Sequence, residues 1–247
     1  GVPWFRWFAR RLGTMRALQD GRFGDAERLA AEALACGEQL DHPNVRPVFA
    51  AQTMHLDFLR GHWVDVAARL TRYLEQAPGQ HLLRAQLAMV QARQGDHAAA
   101  RRELDRLADG DFAAVPRDSV WLMTLAYLAE AAAGSGDGAR AAVLHRLLAP
   151  HAARVIGAGT GIASLGHGAR YVGVLAAALG RADDAARLLE TARAEHERMG
   201  ARPWLAFTLR DQASLLLARG GRQSRQQAAE ALAQAEAIAT DIGMAPF

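Results

Sequence analysis

The densest run of residues with chemical potential lies between 157 and 168. Gly157, Gly159 and Gly161, read as G-A-G-T-G, are followed by Gly166 and Gly168, and so flexible a backbone invites comparison with a phosphate cradle. A nucleotide-binding loop requires G-x-G-x-x-G behind a strand, or a Lys after the glycines, and neither pattern is written here. The cluster therefore reads as a flexible link that leads into a close-packed internal helix of small residues. Ser164, in G-I-A-S-L-G, falls one residue short of a nucleophile elbow, and His167 three residues on could share a helical face with it. Acyl transfer would need G-x-S-x-G in a strand-turn-helix setting and an acid to orient the histidine. No such acid is placed nearby.

The remaining reactive side chains are no better arranged. His55 and His62 straddle a turn, His145 and His151 are six residues apart, and Glu195-His196-Glu197 is not H-E-x-x-H, so the nine histidines give no metal spacing. Cys36 has no partner cysteine and reads as a small buried hydrophobe. Asp109-Gly110-Asp111 is a turn signal, too short for a calcium loop. The expectation is a chain with no catalytic residue, cofactor or metal, and hence no enzyme.

Composition narrows what such a chain can be. Of 247 residues, 51% are hydrophobic and 55 are Ala, while Ile occurs only four times, a balance that favours helix over sheet. All 29 basic residues are Arg, which explains a pI of 9.7 at a net charge of only +3. The Arg residues are interspersed with Asp and Glu, as in Arg101, Arg102, Glu103 and Asp105, and read as a solvated helix surface. Direct nucleic-acid binding is not expected, because that needs a clustered basic face. Arg6, Arg10 and Arg11 interrupt the first apolar stretch, so it is no secretory signal, and Arg170 breaks the stretch from Val155 to Gly180 below the length of a membrane span. The cytoplasm is the expected location. The start at Gly1 reads as a piece excised from something longer.

One helical phrase recurs six times. It runs from Gly21 as "GRFGDAERLAAEAL", then from Gly61, Gly95, Gly136, Gly180 and Gly220. Five copies have a turn glycine and, five residues on, Ala26, Val66, Ala100, Ala141 or Ala185; the sixth, with about three inserted residues in the turn, aligns Ala228. These lie 40, 34, 41, 44 and 43 residues apart, and each phrase is preceded by another helical stretch. Glycine supplies the left-handed backbone that ends the first helix, and the small residue lets the second approach it closely. Leu29, Leu70, Leu104 and Leu188 then form an apolar stripe for the next pair. Since one such pair cannot bury both its faces, the pairs must stack.

The unit resembles the tetratricopeptide repeat. In the fifth copy Val172-Gly173 stands where that repeat has Leu-Gly, Gly180 at its turn, and Ala185 and Ala192 at its small positions; in the second copy Pro78, twelve residues after Val66, stands at its closing proline. Most copies lack the Trp and Tyr of the repeat, and four of the five intervals exceed its 34 residues. The stretches "MRALQDGRFGDAERLAAEAL", "DFAAVPRDSVWLMTLAYLAEAAAGSGD" and "ERMGARPWLAFTLRDQASLLLARG" look like the carboxy-terminal repeat region of large bacterial regulators. In those proteins a nucleotide-binding ATPase module lies upstream, with a cyclase or DNA-binding output domain elsewhere. The resemblance implies one all-α domain over 1–247, an α-solenoid of about six stacked helix-turn-helix hairpins, with copies at roughly 4–40, 45–78, 80–110, 116–150, 161–200 and 203–243.

In such a superhelix the first helices line a concave groove. Transferring the repeat's groove positions to this sequence gives Arg11, Met15, His55, Phe58, Met89, Arg93, Met123, Glu130, His167, Arg170, Val174, Arg210 and Ser214. Met repacks around varied apolar surfaces and Arg forks hold carboxylates, a combination suited to a protein or peptide segment, or to an upstream ATPase domain of the same polypeptide. The expected role is a sensor or assembly arm. A self-standing scaffold is the second reading, with Ile238, Ile242, Met244 and Phe247 as a stacking stripe, and a small-molecule sensor near His167, Arg170 and Arg210 is the third. Trp4, Phe5, Trp7 and Phe8 read either as internal packing or as a docking patch.

Overall fold

Helix-forming residues at 3.6-residue spacing, punctuated by a glycine at each turn, dictate the architecture. The computed structural model describes residues 3–159 and 161–246. Among these residues, twelve helices make six consecutive pairs. They are α1 (Pro3–Asp20) with α2 (Phe23–Glu38), α3 (Val45–Leu59) with α4 (Trp63–Gln76), and α5 (His81–Arg93) with α6 (His97–Asp105). After a single turn, α7 (Asp109–Phe112), come α8 (Trp121–Gly134) with α9 (Gly138–Leu148), α10 (Gly168–Ala178) with α11 (Ala182–Met199), and α12 (Arg202–Arg219) with α13 (Arg222–Ile242). Gly21, Gly61, Gly95, Gly136, Gly180 and Gly220 all have φ between 69° and 83°, the left-handed region that a side chain would strain. Asp96 and Asp137 cap α6 and α9 by accepting from the backbone N–H of Ala99 and Arg140.

Burial separates the two helices of a pair. The second helices bury one stripe: α4 buries Val66, Leu70 and Leu74, and α13 buries Ala228, Ala231, Ala235, Ala239 and Ile242. The first helices are enclosed on several sides. In α8 every residue from Met123 to Ala129 is buried, because α5, α6, α9 and α10 surround it. The repeated small residues Ala26, Val66, Ala100, Ala141, Ala185 and Ala228 are all exposed by 1% or less, as close helix approach requires.

Three features depart from the sequence expectations. The glycine-rich segment is an ordered β-hairpin, with β1 (Val155–Ala158) antiparallel to β2 (Ala163–His167) and an irregular register between Val155 and Gly157. It precedes α10 where a flexible link and a longer internal helix were expected. Every residue of β2 is buried, against α1, α3 and α11. Glycine is required there by contact. A Cβ on Gly166, whose φ is 73°, would overlap Trp204 and the ring of His196, and one on Gly168 would meet the carbonyl oxygens of His151, Ala152 and Arg154.

The second departure is that the hollow is largely filled. The first and last pairs meet: α1 packs on α12, the Gly21 turn sits against Ile242, and the Gly61 turn against Ala245. Gln52 of α3 donates to the carbonyl oxygens of Arg11 (2.9 Å) and Ile162 (3.0 Å), tying α1, α3 and the hairpin together. Across the interior, His55 stacks on Trp204 and Phe58 on Phe207, with ring centroids 5.9 and 6.2 Å apart. A continuous open trough along six copies is therefore not what these residues make.

The third departure concerns surface expectations. Ile242 and Met244 are buried against the chain itself and Ile238 packs on the same core, so they form no free stacking stripe. Of the aromatic cluster, Trp7 is buried against Val45 and Val48 while Phe5 is 69% exposed. Cys36 is partly exposed rather than buried. Gly1, Thr160 of the glycine cluster and Phe247 of the terminal stripe lie outside the described residues. Among the described residues no helix is long and apolar enough to cross a membrane.

Candidate functional site

The first helices of the last four pairs bring one charged side chain each to a common place. Arg93 ends α5, Glu130 lies near the end of α8, Arg170 is in the first turn of α10, and Asp211 is midway along α12. Arg93 donates to Glu130 Oε2. Arg170 donates through Nη1 to Glu130 Oε1 (2.8 Å) and through Nε to Asp211 Oδ2 (2.8 Å). Arg210 closes the row through Nη2 on Asp211 Oδ1 (2.7 Å). The result is a ladder of alternating sign in which Arg93, Glu130, Arg170 and Asp211 each come from a different helix pair, while Arg210 shares α12 with Asp211. The paired residues are 37, 40 and 41 positions apart, close to the repeat length.

The ladder is buried, and burial sets its electrostatics. Arg170 is wholly enclosed, and the side chains of Arg93, Glu130 and Asp211 are 8%, 10% and 10% exposed. Burial pulls the Arg93 guanidinium down to about 10; Glu130 opposes this, while the charges of Arg210 and Arg170 add to it. For Glu130, burial works to raise the pKa, but Arg93 and Arg170 outweigh it and hold the carboxyl down to about 2. Burial likewise disfavours the charge on Arg170, and Asp211 and then Glu130 outweigh it, raising its pKa. Arg93, Glu130 and Arg170 are therefore charged at neutral pH. Phe207 lies beneath them, its ring centroid 4.4 Å from the guanidinium carbon of Arg93 and 5.3 and 5.4 Å from those of Arg170 and Arg210, so its face adds cation–π attraction.

Beside this row opens a pocket of about 420 Å³, within the range of small-molecule sites. The charged residues Arg93, Glu130, Arg170, Arg210 and Asp211 line one part of it, and Val174, Ala177, Ala178, Leu189, Leu215 and Ala218 supply apolar wall. Ala178, Ser214 and Ala218 are exposed at its mouth. Six residues expected on the concave face thus line one pocket: Arg93, Glu130, Arg170, Val174, Arg210 and Ser214.

The other expected groove residues lie elsewhere. Phe58, Met89 and Met123 are 1%, 1% and 3% exposed and belong to the central core, where no peptide can reach them in this arrangement. His55 is buried between Phe58 and Trp204, bonded to the Ser164 backbone, and burial takes its pKa down to about 4. Arg11 lies over the rings of Trp7 and Phe8 (5.0 and 4.4 Å), and Met15 lies against Gly161 of the hairpin. His167 is buried at the start of α10, its Nδ1 accepting from the Ala169 N–H (3.4 Å). Its own backbone N–H donates to His196 Nε2 (2.7 Å), and His196 Nδ1 faces Thr208 Oγ1 (3.0 Å). Since Thr208 spends its proton on the Trp204 carbonyl, His196 carries its proton on Nδ1. Ser164 and His167 sit on a strand, where residues three apart point to opposite faces, and Ser164 Oγ instead accepts from Gly166 N–H (3.3 Å). Among the described residues no group of His, Cys, Asp and Glu could hold a metal ion.

Sequence reasoning missed Asp211 and Phe207. The signal for Asp211 was present: it lies 41 residues after Arg170, as Arg170 lies 40 after Glu130 and Glu130 lies 37 after Arg93. Continuing that series with alternating sign selects Asp211 rather than its neighbour Arg210. No protein-family model, curated protein or solved structure matches the chain.

Proposed function

We propose that this chain is a non-enzymatic ligand-binding module, a tetratricopeptide-like superhelix of six hairpins serving as the effector-sensing arm of a multidomain signalling or transcriptional regulator. The observation that carries this reading is the convergence of one side chain from each of four successive copies on the wall of a single pocket. A ligand seated there touches α5, α8, α10 and α12 together, so it reports on the relative placement of four hairpins. Binding that favours one placement over another shifts the module by the difference in affinity, about 1–3 kcal/mol in typical allosteric coupling. An upstream ATPase domain packed on the outer helices would receive that shift. The filled interior favours a small effector over an extended peptide.

The test is a pair of assays on the purified chain. Nucleotides and esters should undergo no turnover that survives repurification, and a small-molecule screen should yield at least one saturable binder that Ala178→Trp, at the pocket mouth, displaces. Sustained hydrolysis, or binders indifferent to Ala178→Trp, would end the proposal. A second reading, docking of a protein partner or self-association, draws on Phe5 and Trp4, 69% and 38% exposed at the start of α1. Sedimentation at micromolar concentration separates them: a wild-type oligomer that Phe5→Glu dissociates favours the second reading, and a monomer in both disfavours it.

A further inference from the structure

Resting on the reading of the pocket as a binding site, we propose that its ligand is a small neutral aliphatic molecule, its hydrocarbon part lying along Val174, Ala177, Leu189 and Leu215 and any hydroxyl left at the mouth beside Ser214. The first observation behind this is that the charges around the pocket are spent on one another. Glu130 accepts from Arg170 through Oε1 and from Arg93 through Oε2, and Asp211 accepts from Arg210 through Oδ1 and from Arg170 through Oδ2. Arg170 is wholly enclosed, and the nitrogens of Arg93 and Arg170 that lack an acceptor are closed to solvent, and so to anything seated in the cavity. Arg210, which solvent does reach, is held on Asp211 through Nε and Nη2 (3.2 and 2.7 Å). Ser214 donates its proton to the Arg210 carbonyl oxygen (3.1 Å), so its hydroxyl keeps only lone pairs. A charged ligand would leave water and meet counter-charges that are already engaged, which disfavours it.

The second observation is an apolar cluster left open on one side. Ala176, Ala185, Leu189 and Leu215 pack with Val174 and Ala177 apart from the central core. Val174 and Ala177 are only half-buried, and both belong to the pocket wall with Leu189 and Leu215. Ala92 of α5, Ala133 of α8 and Ala218 of α12 continue that wall, so an alkyl chain lying there touches the first helices of four copies. Taking such a wall out of water is the favourable term the site offers. Beyond the charged row, Ser214 is the one polar side chain among the described lining residues, which gives little to a sugar or a nucleoside and suits methylene groups.

Isothermal titration of the full chain with butan-1-ol, hexan-1-ol and octan-1-ol, set against octanoate and octylamine, tests this. The expected result is saturable one-to-one binding of the alcohols, tightening about fourfold per added methylene until the wall is covered. Octan-1-ol should bind at least tenfold more tightly than octanoate or octylamine. Ala178→Trp, at the exposed mouth, should weaken octan-1-ol at least tenfold with an unchanged circular dichroism melt. Val174→Thr, which exchanges a wall methyl for a hydroxyl, should weaken it about fourfold. Because Val174→Thr can also loosen α10, the ligand series and Ala178→Trp decide the outcome without it. Octanoate or octylamine that binds within tenfold of octan-1-ol or more tightly, and that Ala178→Trp displaces, would overturn the neutral class while the pocket stands as a binding site. Alcohols that bind equally to Ala178→Trp, or that do not bind up to millimolar concentrations, would overturn the proposal. In that event a binder from the wider screen that Ala178→Trp displaces keeps the pocket reading, and the lack of one ends both.

Discussion

Glu130 is the residue on which the charged row turns, since it accepts from both Arg93 and Arg170. Glu130→Gln keeps the shape but leaves two buried guanidinium groups short of a counter-charge, and breaking a buried pair from one side costs about 3–5 kcal/mol. We expect a correspondingly lower midpoint in urea, and a milder effect from Asp211→Asn, because Arg210 lies closer to solvent. The histidines give a second residue-level prediction. Burial lowers His196 from 6.5 to about 3 and His55 to about 4, so folding favours their neutral forms. Their contribution to stability is complete above pH 6.5 and is lost as pH falls from there toward 4 and 3, by about 1.4 kcal/mol per pH unit for each histidine. Thermal midpoints measured between pH 7 and 4 should fall, and His196→Gln, whose side chain can still accept from the His167 N–H, should flatten the slope. An unchanged slope would show that His196 is protonated as easily in the folded chain as in the unfolded one.

At the scale of elements, the β-hairpin is held by the approach of bare backbone to α11 and α12. Gly166→Ala places a methyl group where His196 and Trp204 already lie, at a φ of 73°. The backbone strain alone costs about 1–2 kcal/mol, and the overlap adds to it, so this substitution should lower the melting temperature well beyond Gly138→Ala, where a Cβ meets nothing. The helices and their pairing were legible in the sequence because the turn glycine and the small residue after it recur with a period that only stacked pairs explain. The hairpin was not. Its strands, Val-Ile-Gly-Ala and Ala-Ser-Leu-Gly-His, hold few residues that favour strand and are too short to show alternation. Their strand state is imposed by burial against three helices, a tertiary cause with no local signature. Part of the pocket was legible for the same reason as the pairing: equivalent positions of successive copies fall on one face, which gathered Arg93, Glu130, Arg170 and Arg210. That Phe58, Met89 and Met123 close the interior could not be read, because the periodicity gives the face and not the curvature.

At the scale of the whole molecule, closure is what distinguishes this chain from an open array of repeats. In an open array each unit touches only its neighbours and stability is a sum of local terms. Here the second pair touches the sixth through Phe58 and Phe207, and the Gly61 turn touches Ala245, so the ends should unfold together with the middle. Filling the hollow also explains why the expected groove residues Arg93, Glu130, Arg170, Val174, Arg210 and Ser214 line a local pocket instead of a continuous trough. Phe207 occupies the interior beneath the charged row, and the ladder with the cavity beside it lies past that plug. The most direct test is a double-mutant cycle on Phe58→Leu and Phe207→Leu, read by urea unfolding. The closed arrangement predicts a coupling of about 0.5–1.5 kcal/mol between these two rings. Additivity of the two substitutions within about 0.3 kcal/mol would contradict it, for then the second and sixth pairs do not meet.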